Sequence, residues 1–256
     1  MRVPQRYAEL VRYKVAADLR AEAARTYLGF LWWVLDPVIF MLIFYVLFGL
    51  LLQRGGEHFV QFLLIGLVTW RWFHITVFNG ANALPAGHGL IHQTYLPKLL
   101  LPLVAILTEL TKFAVVLALL LVFLWVSGFG PSPAWLALPA LLLVQLALIC
   151  GVTLLLAALV PFLPDLKPLI GHVLQMLFFL SGIFYDPAEI PEAYRGYFLL
   201  NPMAALIDAY REVLLHGRWP GGWMLPSIAV LAAVLIVLAV AILHRYDRLY
   251  PKLIRS

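Results

Sequence analysis

Apolar residues fill this chain in long runs separated by short polar intervals. A helix that crosses the ~30 Å hydrocarbon core of a bilayer needs about 20 such residues. Six runs qualify or nearly so, at 34–52, 59–79, 99–127, 135–160, 168–185 and 226–244. The pattern predicts an all-α integral membrane protein with six transmembrane helices. Arg71 and His74 interrupt the second run, and Glu109 and Lys112 lie in the third, which ends at Ser127-Gly128. The fourth holds Gln145 and Cys150 and stops at Pro161, the fifth is short, and the sixth is the cleanest. The stretch GFGPSP after span three predicts an antiparallel hairpin of spans three and four.

Two further segments have helical periodicity without the length to span. Over residues 3–25, Val3, Tyr7, Leu10 and Val11 lie opposite Arg2, Arg6 and Glu9, an interfacial amphipathic pattern. The phase then shifts, and Lys14, Asp18, Glu22 and Arg25 share one face. The simplest reading of that face is a solvated surface with i,i+4 pairs; the sharper one is a docking face for a cytoplasmic partner. Residues 186–225 are too polar to span and too apolar for a free loop. Asn201-Pro202 reads as a helix start, with Asn as cap and Pro in the first turn. Met203, Leu206, Ile207, Tyr210 and Leu214 then recur on one face, with Asp208, Arg211 and Glu212 on the other, up to a stop at Gly217. Asp186-Pro187 and Ile190-Pro191 punctuate a second short element before it. The region is expected to form two short re-entrant helices, which survive only if packed on protein or lining a cavity.

Composition agrees with a bilayer environment. The 256 residues are 64% hydrophobic and only 12% charged, where a soluble domain carries roughly 25% charged residues. The net charge of +5 is a matter of topology and gives no reason to expect a nucleic-acid partner. With both termini in the cytoplasm, twelve Lys and Arg fall on inner segments, among them Arg12, Lys14, Lys167, Arg245 and Lys252. Four fall outside: Arg54, Arg195, Arg211 and Arg218. That asymmetry predicts N-in, C-in. No cleavable signal peptide is expected, because residues 1–30 are too charged for an apolar core followed by a cleavage site. Residues 1–256 read as one membrane domain, with 1–30 as a cytoplasmic interfacial helix and 31–256 as the six-span unit. The single cysteine, Cys150, cannot form an intrachain disulfide and reads as a small helix residue.

The search for catalytic chemistry is mostly negative. G-x-x-x-x-G-K-[ST] is missing, so the chain does not cradle ATP phosphates in the usual way. G-x-S-x-G, H-E-x-x-H and C-x-x-C are missing too. His88 and His92 have i,i+4 spacing but no evident third ligand, and a solvated loop is the better reading. More informative are four ionisable residues inside spans: Asp36, Arg71, Glu109 and Lys112. A charge at the bilayer centre costs roughly 2.5–3.5 kcal/mol on insertion scales, so each is expected to face protein or water. Glu109 and Lys112 are three apart and can pair, while Asp36, just before Pro37, reads as a cap of the first span. Ion pairing or snorkelling explains all four; a hydrophilic pathway is the functional alternative. Of the eight tryptophans, all but Trp70 and Trp72 fall near predicted span ends, as an interfacial belt requires. Aromatic side chains facing a pore would suit the apolar faces of sugar rings.

Several sequence blocks resemble one family. Residues 25–33, RTYLGFLWW, followed by Asp36-Pro37, are similar to the entry signature of ABC-2-type permeases, although Tyr27 and Gly29 stand closer together than in the family pattern. Asn79 and Asn82 leading to Tyr95-Leu96-Pro97-Lys98 are similar to its loop after span two. Residues 181–185 (SGIFY), Ile190-Pro191-Glu192, Asn201-Pro202 and Arg211 match its strongest pattern. The chain thus resembles, over nearly its whole length, the permease subunit of ABC-2 exporters of the polysaccharide and polyol-phosphate branch (O-antigen, capsule, teichoic acid). The resemblance implies a homodimer in the bacterial inner membrane with a channel at the dimer interface. It also implies two copies of a cytoplasmic ATPase subunit that bind ATP and Mg, leaving no cofactor in this chain. The implied substrate is a glycan on a polyprenyl-diphosphate lipid. Arg25, Tyr27, Tyr95, Pro97 and Lys98 are the implied ATPase-coupling residues. Tyr185, Pro191, Asn201, Pro202 and Arg211 are the implied outer gate.

Three alternatives stay open at this stage. An ABC-2 exporter of drugs or small lipids would present a closed hydrophobic interface rather than a wide aromatic and polar lining. An ion-coupled carrier would use Arg71, Glu109 and Lys112, but such carriers are usually built from inverted repeats, and none is visible. A membrane-embedded enzyme would need an acid/base or nucleophile cluster at a membrane face, and no convincing one appears.

Overall fold

The computed structural model describes residues 3–51, 58–89 and 97–253. Among these the chain is all helix and connecting loop, without strands. α1 (Val3–Ala24) leads through a short turn at Gly29–Leu31 into α2 (Trp32–Phe44), which continues as a π-helical stretch, Tyr45–Leu51. Next come α3 (Phe59–Ala81), the one-turn α4 (Ala83–Ala86) and α5 (Leu100–Val126). A 3-10 turn, Pro133–Ala137, opens α6 (Leu138–Leu159), which α7 (Leu166–Leu180) follows. α8 (Glu192–Leu199), α9 (Pro202–Leu214), α10 (Met224–Arg245) and the short α11 (Tyr250–Leu253) complete the chain.

Among the described residues, five helical stretches are long and apolar enough to cross a membrane: Gly29–Leu51, Phe59–Ala81, Leu100–Val126, Pro133–Leu159 and Met224–Arg245. α7 is apolar but has 15 residues, about 22 Å at 1.5 Å per residue, less than a bilayer core. The described residues thus carry five stretches of spanning length where the hydrophobic pattern predicts six.

α3 is the centre of the bundle. It packs on α5, α6, α9, α2 and α7, and 67% of its apolar window is buried, against 6% for the first span. The pairing of α6 with α10 is the most extensive in the molecule. Small residues permit it: a Cβ on Gly151 would stand 3.0 Å from the Ala232 carbonyl oxygen and 2.8 Å from Leu235 Cβ. The chain reverses after span three as predicted, yet α5 and α6 touch each other less than each touches α3, which separates them. α9 is not peripheral. Met203, Leu206, Ile207, Tyr210, Val213 and Leu214 are buried in the main core with α3 residues such as Leu63 and Ile65. α1 lies along α5, with Val11 buried.

Candidate functional site

The four embedded ionisable residues converge on one cavity of about 380 Å³ between α1, α2, α3 and α5. Asp36 forms an ion pair with Arg71, joining α2 to α3. The cap reading of Asp36 is therefore corrected: the residue lies a full turn inside α2, where no terminal N–H groups are exposed, and its carboxylate serves the guanidinium instead. Lys112 pairs with Glu109, 3.1 Å away, as the i,i+3 spacing predicts. It pairs as well with Glu22 from α1, the residue read from sequence as part of a solvated face. Asn79 Nδ2 donates to Glu109 Oε1 at 3.0 Å, so α3 joins the same network. Lys14 and Asp18 make the predicted i,i+4 pair on the exposed face of α1. The cavity wall is aromatic as well as charged. Trp33 lies 5.9 Å from Lys112 Nζ, and Trp72 stacks on Phe113 at 4.0 Å and 9°. Trp70 and Trp72 are buried, consistent with their exclusion from the interfacial belt, whereas Trp125, Trp219 and Trp223 are exposed near helix ends.

Arg71 and His74 also line a second cavity of about 430 Å³ between α2, α3 and α7. Its Phe179 lines a third, of about 660 Å³, at the far end. The three therefore adjoin in series, the first and second through Arg71 and His74 and the second and third through Phe179. Aromatic rings form much of their walls. Phe44 lies 5.9 Å from Phe178 and 4.3 Å from Phe184, Phe48 stacks on Phe184 at 5.6 Å, and Phe179 follows at 6.0 Å. The third cavity adds Tyr185, Asp186 and Glu189 to these rings. Phe40, Ile43, Val46 and Leu47 of α2 and Leu169, Met176 and Leu180 of α7 are exposed beside the groove.

At the same end, Arg211 locks α9 in place. The pattern puts Arg211 on the polar face of α9, but the residue is 3% exposed. Its guanidinium donates to the carbonyls of Phe62 (3.3 and 3.2 Å), Gly182 (2.7 Å) and Ile183 (2.9 Å) and lies 3.3 Å over the Phe62 ring. Arg211 shares a helical row with Ile207 and Leu214, which is why it turns inward. Gly182 adopts φ +68 to present its carbonyl, and a Cβ there would strike Phe198 at 2.9 Å. Asn201 caps α9 by accepting from the Met203 N–H, as predicted, and its amide donates to Ser181 Oγ and the Leu180 carbonyl. Pro202 occupies the first turn of α9 and Pro191 immediately precedes α8. The Tyr185 hydroxyl donates to the Phe179 carbonyl at 3.0 Å. Arg195, counted from sequence among the outer charges, donates to the carbonyls of Pro187, Ala188 and Ile190 and ties α8 to the turn before it.

The implied coupling residues lie at the opposite end. Arg25 and Tyr27 are exposed, and Pro97 is half-buried. Lys98 is 2% exposed, enclosed by the chain. Tyr95 and His92 lie outside the described residues. No group of three or more His, Cys, Asp or Glu suited to a metal occurs among the described residues.

Residues 98–215 match the family model described as ABC-2 type transporter. The O-antigen export system permease protein RfbA of Myxococcus xanthus is 30% identical over 90% of this chain and 89% of its own length. The RfbA permease of Klebsiella pneumoniae is 28% identical over 78% of each. The polysialic acid transport protein KpsM of Escherichia coli is 25% identical over 88% of each. With its all-helical bundle, apolar spans and aromatic groove, the chain belongs to the ABC-2 type transporter family, among the permeases of polysaccharide exporters.

Proposed function

We propose that this chain is the channel-forming subunit of an ATP-driven exporter that moves a lipid-linked polysaccharide across the bacterial inner membrane. The observation that carries the reading is the groove of adjoining cavities along α2, α3 and α7, with charged side chains at both ends and aromatic rings throughout. Aromatic faces pack on apolar sugar faces without demanding fixed hydrogen bonds, which suits a polymer that must slide. The groove is open on its outer side, and its rims are the exposed apolar faces of α2 and α7. A second copy of the chain covers those faces and closes the groove into a channel, which favours the homodimer.

In this reading α7, with the chain up to Tyr185, is the fifth of six spans, and α8 and α9 are re-entrant helices that form the outer gate. Both termini are cytoplasmic. A separate ATPase, two copies per dimer, binds ATP and Mg and works on α1, on Arg25 and Tyr27, and on the chain around Pro97. The names of the RfbA and KpsM relatives support a glycan over a drug or small lipid, and the wide aromatic lining favours it as well. The test is to label surface glycan against total extract in cells with and without the chain. Polymer that accumulates inside on loss, and returns to the surface only with this chain and its ATPase together, is the expected result. Unchanged surface glycan removes the glycan assignment.

A further inference from the structure

A second, smaller core lies apart from the main one. It joins Ala83 and Leu84 of α4, Leu101 of α5, Ala158 of α6, Leu243 of α10 and Tyr250 of α11. These are the end of span two, the start of span three and the ends of spans four and six, so all lie at one end of the bundle. The piece that unites them is the chain after α10. Tyr250 is 0% exposed, and its hydroxyl donates to the Ala158 carbonyl at 3.1 Å. Phe162, between α6 and α7, meets Tyr246 and Tyr250 edge-on, each at 5.4 Å. The Asp247 carboxylate accepts from the backbone N–H of Lys98, just before α5, at 3.5 Å. A fully buried tyrosine in a four-residue helix at a chain end is held by its contacts alone, since one turn of helix has no stability of its own.

We propose that residues 246–253 form a strut that carries movement from the chain between spans two and three into spans four and six, with Tyr250 and Asp247 as its positioning residues. The proposal rests on the exporter reading, in which an ATPase pushes on that chain. The buried Lys98 fits it: the residue acts through the strut, not by touching the partner. Because α6 and α10 are the most tightly packed pair of helices, a push delivered at Ala158 and Leu243 moves them as one body. α2 is packed far more lightly and is left free to separate from that body.

The experiment uses the complex of this chain with its ATPase in proteoliposomes. Tyr250→Ala is expected to assemble and to hydrolyse ATP at the wild-type rate. Export per ATP falls at least about fivefold, the lower end of coupling between distant sites. Tyr250→Phe keeps the ring and retains most of the export. If Tyr250→Ala is not recovered from the membrane, Asp247→Ala is read in the same way. Export per ATP at the wild-type level in the variant that is recovered overturns the proposal. A second arm places spin labels at Ala86, Lys252 and Ile39 of α2 in a Cys150→Ala background. The Ala86–Lys252 distance is expected to stay fixed between nucleotide-free and ATP-trapped states, while the distance of either to Ile39 changes. An Ala86–Lys252 distance that changes overturns the strut. This arm needs no glycan, so a wild-type complex that exports no glycan defeats the polysaccharide reading alone.

Discussion

Arg211, where α9 meets α3, and Lys112, where α1 crosses α5, are both cations within an apolar bundle, but their partners differ in kind. Arg211 donates only to main-chain carbonyls, from α3 and from the turn after α7. Its surroundings are core, and Gly66 leaves the space for its fork: a Cβ there would stand 2.8 Å from the guanidinium. Lys112 is held by two carboxylates, one on its own helix and one on α1, whose Glu22 side chain is 49% exposed. Arg71 is held likewise by Asp36 on α2, the span with the least burial. A guanidinium satisfied by fixed carbonyls can leave only if the fold opens. A cation paired with a carboxylate on a lightly packed helix can exchange partners when that helix moves. The contrast assigns Arg211 to holding the α9 end of the bundle together, and the Glu22, Asp36, Arg71 and Lys112 network to the end that can rearrange.

Breaking the fixed cation has the largest expected effect. Arg211→Ala strands two buried carbonyls, those of Gly182 and Ile183, each costing about 1–3 kcal/mol when unsatisfied, so a loss on the order of 2 kcal/mol or more is expected. Thermal unfolding in detergent reads it, and Arg211→Lys rescues only partly because an ammonium lacks the planar fork. Full stability and export in Arg211→Ala contradict the clamp. Gly66→Ala drives a methyl against the same guanidinium and is expected to cost about 1–3 kcal/mol by overpacking, with a loss of export in proportion.

The exchangeable pairs behave differently. Asp36→Asn is expected to cost about 1–2 kcal/mol, between the limits for surface pairs and for the bilayer centre. Its loss of surface glycan exceeds its loss of stability. Reversing the pair, Asp36→Arg with Arg71→Asp, restores part of the export; no restoration separates the two residues in function. Glu22→Gln removes a half-exposed partner and is expected to cost under about 1 kcal/mol. Its signature is easier proteolysis of α1 in the folded protein, and unchanged proteolysis removes Glu22 from the network.

What the sequence revealed follows from the range of each signal. Apolar runs are local, and the five full-length spans and the shortness of α7 were legible in them. Caps and i,i+3 pairs are local too, and Asn201 and the Glu109–Lys112 pair are where the spacing put them. Glu22 and Lys112 are far apart in the chain, and no periodicity links them. The helical pattern alone puts Arg211 on the polar face because charge was given more weight than helical phase; its i,i+4 relation to Ile207 was the available signal. The Asp36 cap failed for a related reason, since Asp before Pro also occurs one turn inside a helix when a distant cation needs a partner. The enclosure of Lys98 by the chain after α10 is tertiary, and no local pattern reports it.

The central claim is that the groove along α2, α3 and α7 carries the glycan. The most direct test inserts a photo-crosslinking residue at Phe44, at Phe184 and, as a lipid-facing control, at Leu143 of α6, which is 66% exposed. Cells are illuminated during export and the chain is probed for attached polysaccharide. Glycan adducts at Phe44 and Phe184 that depend on the ATPase, with none at Leu143, are the predicted result. Adducts at Leu143 and none in the groove would contradict the account.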